Sequence, residues 1–320
     1  VPASEAIFPL AGKRVWVAGH RGMVGSALTR RLAVEACEIL TVGRETLDLT
    51  RQAEVEAWVA QARPEAIFLA AARVGGIGAN AARPAEFLAE NLAIQTNVIE
   101  AARRTGVTRL LFLGSSCIYP RLAPQPIPEE ALLTGPLEPT NEAYAIAKIA
   151  GLKLVQAHRR QHGLDWISAM PTNLYGAGDN FDPETSHVLP ALIGKAHAAK
   201  LAGAPRMTIW GTGAPRREFL HVDDGADALV WLMTRYSGDL HVNVGSGEDL
   251  TVRALAELVC EVVGFTGEIV SDPSRPDGTP HKLMSGDRLK ALGWRPKIGL
   301  REGIAETYGW YLEHAARATS

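Results

Sequence analysis

From Arg14 onward the chain alternates short apolar runs with longer amphipathic ones, and this alternation most restricts its fold. It is the pattern of strand–helix–strand units, whose strands pair in parallel with helices on both faces. Strands are expected over residues 14–18, 38–42, 66–70, 109–114 and 165–170. Helices fit between them at 23–36, 52–62 with Thr50 as N-cap, 84–104, and 142–162 closed by Gly163. The fold class is α/β: a doubly wound parallel sheet of Rossmann type over residues 12–172. Beyond Pro171 the regularity breaks into short elements at 187–202, 207–210, 251–263 and 300–316. These predict a smaller C-terminal α/β substrate lobe, mainly residues 173–320, with a strand near 240–244 rejoining the main sheet. A chain of 320 residues with 47% hydrophobic content can bury such a core.

Composition narrows the partners. A formal charge of -2 without a run of like charge leaves no footprint for nucleic acid. Cys37, Cys117 and Cys260 are far apart and odd in number, which fits a reducing cytoplasm and excludes paired zinc or redox spacings; no metal is expected. The opening residues 1–10 lack a basic start and an apolar core of signal-peptide length. No apolar stretch approaches the roughly 18 residues of a membrane helix.

The first strand runs into Gly19-His20-Arg21-Gly22-Met23-Val24-Gly25 and then a helix. Glycines at this spacing turn the chain tightly and bring N–H groups of the helix N-terminus to a pyrophosphate. A plain strand–helix turn is the bland alternative, and the loop's place after the first strand favours the dinucleotide. Where an acid often reads the ribose 2′-OH of NAD, Thr41-Val42-Gly43-Arg44 offers an arginine and no carboxylate. Arg44 with Arg21 can pair with a 2′-phosphate, which favours NADP(H), although a lone arginine is commonly just solvated. Asp48 can accept from the adenine amino group or serve a turn. Small residues around Ala71 leave room for the cofactor.

The run Arg109-Leu110-Leu111-Phe112-Leu113-Gly114-Ser115-Ser116-Cys117-Ile118-Tyr119-Pro120 reads as a strand buried on both faces that ends in two hydroxyls and a thiol. Its carboxyl end falls where open α/β sheets bind ligands. Tyr144 and Lys148 lie four apart on a helix, hence on one face. A phenol with a reference pKa of about 10 needs a cation one turn away to act near neutral pH. Ser115 or Ser116 can share a substrate carbonyl with Tyr144. Cys117, two residues beyond Ser115, lies on the same side if strand geometry continues.

The glycine loop, Ala72-Arg73-Val74-Gly75-Gly76-Ile77, Gly114-Ser115-Ser116-Cys117-Ile118-Tyr119-Pro120 and Pro171-Thr172-Asn173-Leu174-Tyr175-Gly176 together resemble the extended short-chain dehydrogenase/reductases and, within them, the GDP-L-fucose synthases. The likeness runs from Arg14 to the final helix. It implies NADPH-dependent 3,5-epimerisation and 4-reduction of GDP-4-keto-6-deoxy-D-mannose. Ser115, Tyr144 and Lys148 would serve reduction, Cys117 as base and His187 as acid would serve inversion, and Leu113, Pro171, Asn173, Leu174 and His187 would also line the cofactor. Both inverted carbons are α to the C4 ketone, so polarising one oxygen acidifies both C–H bonds. An unperturbed thiol, pKa about 8.5, needs a cationic or hydrogen-bonding neighbour for this task, whereas an imidazole titrates near 6.5.

For the GDP-sugar substrate, the resemblance implies Lys195 and Arg217 at the diphosphate, Trp210 in the pocket wall, Asp277 on a ribose or base group, and Ser116 and Asn173 near the sugar. Residue physics alone does not separate Arg216 from Arg217. It also implies a homodimer through the helices near 84–104 and 142–162. The competing readings are a nucleotide-sugar 4-epimerase or 4,6-dehydratase that retains NAD, and a non-catalytic dinucleotide sensor. A dehydratase calls for an acid/base pair where this chain has Ser116-Cys117. A sensor has no need to keep Ser115, Tyr144 and Lys148 together.

Overall fold

The structure is a computed structural model that describes residues 6–182 and 185–318, with side chains through residue 314; residues 1–5 of the opening segment lie outside the described residues. The first unit begins β1 (Arg14–Ala18), α1 (Met23–Leu32), β2 (Glu38–Leu40), α2 (Gln52–Ala62), β3 (Ala66–Leu69), α3 (Ile77–Ala82) and α4 (Pro84–Thr105). It continues with β4 (Arg109–Leu113), α5 (Glu142–His162) and β5 (Ile167–Pro171). There follow β6 (Asn173–Tyr175), α6 (Val188–Leu201), β7 (Arg206–Trp210), β8 (Arg216–His221), α7 (Val222–Arg235), β9 (Val242–Val244) and β10 (Asp249–Thr251). The chain closes with α8 (Val252–Val263), β11 (Glu268–Asp272), β12 (His281–Lys282), α9 (Asp287–Ala291) and α10 (Leu300–Ala318).

Six strands form one fully parallel sheet in the order β2-β1-β3-β4-β5-β9. From β1 the chain moves to opposite sides to reach β2 and β3, so the crevice outside the carboxyl ends of β1 and β3 is the ligand position of an open α/β sheet. Period-two alternation divides the side chains: Val15, Val17, Phe68 and Leu111 bury one face against Leu28 and Leu229, while Trp16, Ile67 and Phe112 bury the other with Val98 and Leu152. Each fully buried large side chain contributes about 1.5–3 kcal/mol. A third cluster, with Ile193, Ile209, Leu255, Val259 and Ile304, holds the smaller lobe together.

Several local expectations change. Helix α1 ends at Leu32, short of the expected residue 36, where Ala36 takes a left-handed φ of 52° that no right-handed helix accommodates. The second strand ends at Leu40. Thr50 does not cap α2; it donates to Asp48 Oδ1 at 2.8 Å, and Arg51 stands at the cap position. Strand β8 and helix α7 have no counterpart in the sequence reading, although Asp223 and Asp224 in the first turn of α7 are a helix-start signal. Helix α7 packs on α1, and β9 pairs with β5, so segment 222–244 returns to the first unit. Fully buried Arg109 ties the far end of α7 beneath the sheet by donating to the carbonyls of Met233, at 3.1 Å, and Tyr236.

Glu218, on β8, is fully buried. Its carboxylate accepts from the N–H groups of Gly247 at 2.7 Å and Met284 at 3.1 Å, and burial raises its pKa. Among the described residues, no helix is long and apolar enough to cross a membrane.

Candidate active site

The glycine loop forms a cradle that a single methyl group would fill. A Cβ on Gly25 would lie 2.0 Å from the Gly19 carbonyl oxygen. Gly19 itself has φ +92°, and a Cβ there would lie 2.8 Å from the Ala71 backbone. Gly22 stands at the N-cap of α1 without a side-chain cap, leaving the N–H groups of the first turn, Met23 and Val24, for a ligand. This fits a dinucleotide pyrophosphate on the helix N-terminus, at the sheet's switch point.

Beside the glycine loop the structure supplies a carboxylate that the sequence reading missed. Arg21 donates through both terminal nitrogens to Glu45, at 2.7 and 2.6 Å. The signal lay in plain view: Glu45 directly follows Arg44. Exposed Arg44 makes no side-chain hydrogen bond or ion pair among the described residues. Asp48 Oδ1 closes a turn on Thr50, accepting from its N–H at 2.9 Å and from its hydroxyl.

Strand β4 stops at Leu113. Ser115, still extended, caps a 3-10 turn over Ser116–Ile118, and its Oγ accepts from the Cys117 N–H at 3.3 Å. Continued strand geometry is therefore corrected: a turn, not alternation, brings Cys117 beside Ser115. Buried Tyr144 takes a hydrogen bond with Ser115; burial is the largest cause that raises the phenol pKa, Cys117 adds to it and Ser115 opposes it. Ser115 thus takes the place beside the phenol, while Ser116 is buried. Lys148, buried one turn on, donates to the Leu113 carbonyl at 2.8 Å, and burial lowers its pKa to about 8. In the free chain burial outweighs the expected lowering of the phenol by Lys148.

Two unanticipated side chains meet the thiol. Asn141 Nδ2 donates to Cys117 Sγ at 3.2 Å, and Lys282 Nζ, from β12, lies 3.9 Å from it. Asn141 stands at the start of α5, where such residues cap helices, so a local signal existed; a lone lysine from β12 gave none. His187 stands at the N-cap of α6, crowded by protein yet open to solvent. Desolvation first, and then Lys282, lowers its pKa. The segment before it is braced from Gly76, whose N–H donates to the Thr185 carbonyl at 3.0 Å. Asn80 fixes that brace by donating to the carbonyls of Gly75 and Gly76 at 2.7 and 3.0 Å.

In the smaller lobe Trp210 lies between two cations, Lys195 at 5.3 Å and Arg275 at 4.8 Å from its ring centre. Alternation along β8 separates its two arginines: Arg216 pairs with Asp249 at 2.7 Å, whereas Arg217 lies on the other face, where burial lowers its pKa. Arg217 also donates to the Asp277 carbonyl at 3.2 Å. The Asp277 carboxylate is taken up at both oxygens by Thr212, at 2.8 and 2.9 Å. Asn173 donates its amide N–H to the Glu218 carbonyl at 2.8 Å, and Leu174 packs against Gly225. Pro171 ends β5 at the same rim of the sheet. A cavity of about 640 Å³ lined by Arg73, Ile77, Arg83, Phe87, Trp210 and Arg275 extends outward from Thr140 and Thr185, neighbours of Asn141 and His187.

Known proteins resemble this chain over nearly its whole length. Residues 15–245 match the NAD dependent epimerase/dehydratase family. The chain is 60% identical to a probable GDP-L-fucose synthase 1 of Oryza sativa subsp. japonica, over 96% of this chain and 94% of the relative. It is 57% identical to a GDP-L-fucose synthase of Sinorhizobium fredii, over 97% and 99% respectively. A solved GDP-L-fucose synthetase from Naegleria fowleri bound to NADP superposes with a TM-score of 0.89 at 27% identity, covering 98% of each chain. With the dinucleotide cradle and the Ser115, Tyr144 and Lys148 cluster in one cleft, this chain belongs to the NAD dependent epimerase/dehydratase family, in its GDP-L-fucose synthase branch.

Proposed function

We propose that this chain converts GDP-4-keto-6-deoxy-D-mannose to GDP-L-fucose, inverting C3 and C5 and reducing C4. The observation that carries the reading is a thiol, Cys117, placed with its own cation and amide beside the Ser115 and Tyr144 pair. When bound, NADPH supplies the hydride that C4 receives. Ser115 and Tyr144 hold the C4 carbonyl oxygen and draw charge onto it, which acidifies the neighbouring C–H bonds. Cys117 takes the proton from C3 or C5; Asn141 and Lys282 stabilise the sulfur anion that does so. His187 returns a proton to the opposite face, so configuration inverts without net oxidation. Tyr144, kept protonated by burial, then gives its proton to the oxygen at C4 as the alcohol forms. Lys148 supports the phenolate left behind.

Lys195, Arg217 and Arg275 give the outer cleft the positive charge that a diphosphate needs, and Trp210 gives it a flat wall. A second copy of the chain pairs through the outer faces of α4 and α5, where Ile146 is 44% exposed. Three free cysteines suit a reducing, cytoplasmic setting.

The direct test is turnover. With GDP-4-keto-6-deoxymannose the folded protein should consume one NADPH per GDP-fucose formed; product without NADPH consumption, or neither, refutes the assignment. A pH profile tests Lys148. Its folded-state pKa of about 8 implies that the ammonium is present below that pH and lost above it. Because kcat/KM reports the free enzyme, it should fall as pH rises through about 8, and Lys148→Arg should remove that limb.

A further inference from the structure

We infer that Glu45 is a specificity-determining residue that holds Arg21 in the free chain and thereby loosens the preference for NADPH over NADH. The inference rests on the reading that Arg21 and Arg44 receive the 2′-phosphate. Dinucleotide sites commonly read the ribose with either an acid, for a 2′-OH, or an arginine, for a 2′-phosphate. This chain carries both after β2, as Arg44 and Glu45, and the acid pairs with the other arginine, from the glycine loop: Arg21 donates to the two Glu45 oxygens at 2.7 and 2.6 Å. Both side chains are exposed, at 66% and 58%, so the pair stands at the surface where a ribose would arrive.

A second observation shows how the pair is accommodated. A Cβ on Gly43 would lie 2.2 Å from Glu45 Oε1 and 2.5 Å from Oε2. Gly43 thus keeps open the space in which the carboxylate meets Arg21, and any side chain there must push Glu45 aside. The turn that sets this geometry is fixed by the N–H groups of Thr46 and Leu47, which both donate to the Gly43 carbonyl at 3.0 Å. Hydrogen bonds from Arg21 hold the Glu45 pKa down, so the carboxylate stays charged at neutral pH.

The two cofactors meet this pair differently. A 2′-phosphate must draw Arg21 from Glu45 and then lie near a carboxylate of its own sign. A 2′-hydroxyl needs only an acceptor, and Glu45 provides it while Arg21 stays in place. An exposed ion pair is worth about twofold to fivefold in an equilibrium constant, and carboxylate–phosphate repulsion adds to it at low salt. Glu45 therefore reduces the discrimination that two free arginines would give, without reversing it.

Equilibrium binding of NADPH and of NADH, followed by calorimetry at low salt, tests this. Glu45→Gln should raise the NADPH-to-NADH affinity ratio by about fivefold or more, by tightening NADPH and weakening NADH. Gly43→Ala, which displaces the carboxylate but keeps it, should shift the ratio in the same direction. Raising the salt should shrink both gains. Arg21→Ala should lower the ratio. If Arg21→Ala lowers the ratio while Glu45→Gln and Gly43→Ala leave it within about twofold of the parent, less than the pair's expected range, the role of Glu45 is overturned and the arginine reading survives. If Arg21→Ala also leaves the ratio unchanged, both fall.

Discussion

Tyr144→Phe is expected to lower C4 reduction by about a thousandfold while solvent deuterium still enters C3 and C5 at a measurable rate, because a positioned general acid contributes about 10²–10⁴-fold. The exchange persists because the proton-abstracting group is a different residue, Cys117, and Ser115 still polarises the ketone. Phe replaces Tyr with almost no change in volume, so the buried site, including the edge contact of Phe87 with the residue-144 ring at 6.4 Å, stays packed. Mass spectrometry of the recovered keto-sugar gives exchange, and NADPH consumption gives reduction. Equal loss of both would refute the division of labour between the two residues.

Cys117→Ser should have the complementary effect: deuterium uptake at C3 and C5 falls by about a thousandfold, and NADPH affinity stays as it was. A hydroxyl is a far weaker acid than a thiol, so neither Asn141 nor Lys282 can hold enough of it as an anion. The substitution preserves size and the local turn, since the turn is capped by Ser115 through the residue-117 backbone N–H and not through the sulfur. Exchange at the parental rate would remove Cys117 from the role of base. A parallel loss of NADPH affinity would mean that the substitution had disturbed the cradle instead.

Much of this site is legible in the sequence because its parts are local. A glycine loop between a strand and a helix, a hydroxyl at a strand end, and a Tyr-x-x-x-Lys pair on one helix face each follow from backbone periodicity. One neighbour of Cys117 is not local: Lys282 lies far along the chain and reaches the sulfur only because β12 pairs with β8 in parallel. Arg217 separates from Arg216 only once β8 is known to be a strand, since alternation then assigns them to opposite faces. Glu45 was missed for the reverse reason. It is adjacent in sequence to the arginine that drew attention, and only the fold reveals that its partner is Arg21. Asp277 likewise meets Thr212, 65 residues away in sequence, only through the fold.

The return of α7 and β9 to the main sheet bears on how such a chain can be inherited. Leu229 on α7 helps cover Val15, Val17, Phe68 and Leu111, and β9 supplies the edge beside β5. A gene fragment ending after β5 would encode a sheet that keeps α1 on this face but lacks α7, and whose edge lacks β9. A single crossover after β5 therefore exchanges α7 and β9 together with the smaller lobe. An exchange that leaves α7 and β9 with their own sheet needs three breakpoints, one after β5 and one on each side of 222–244.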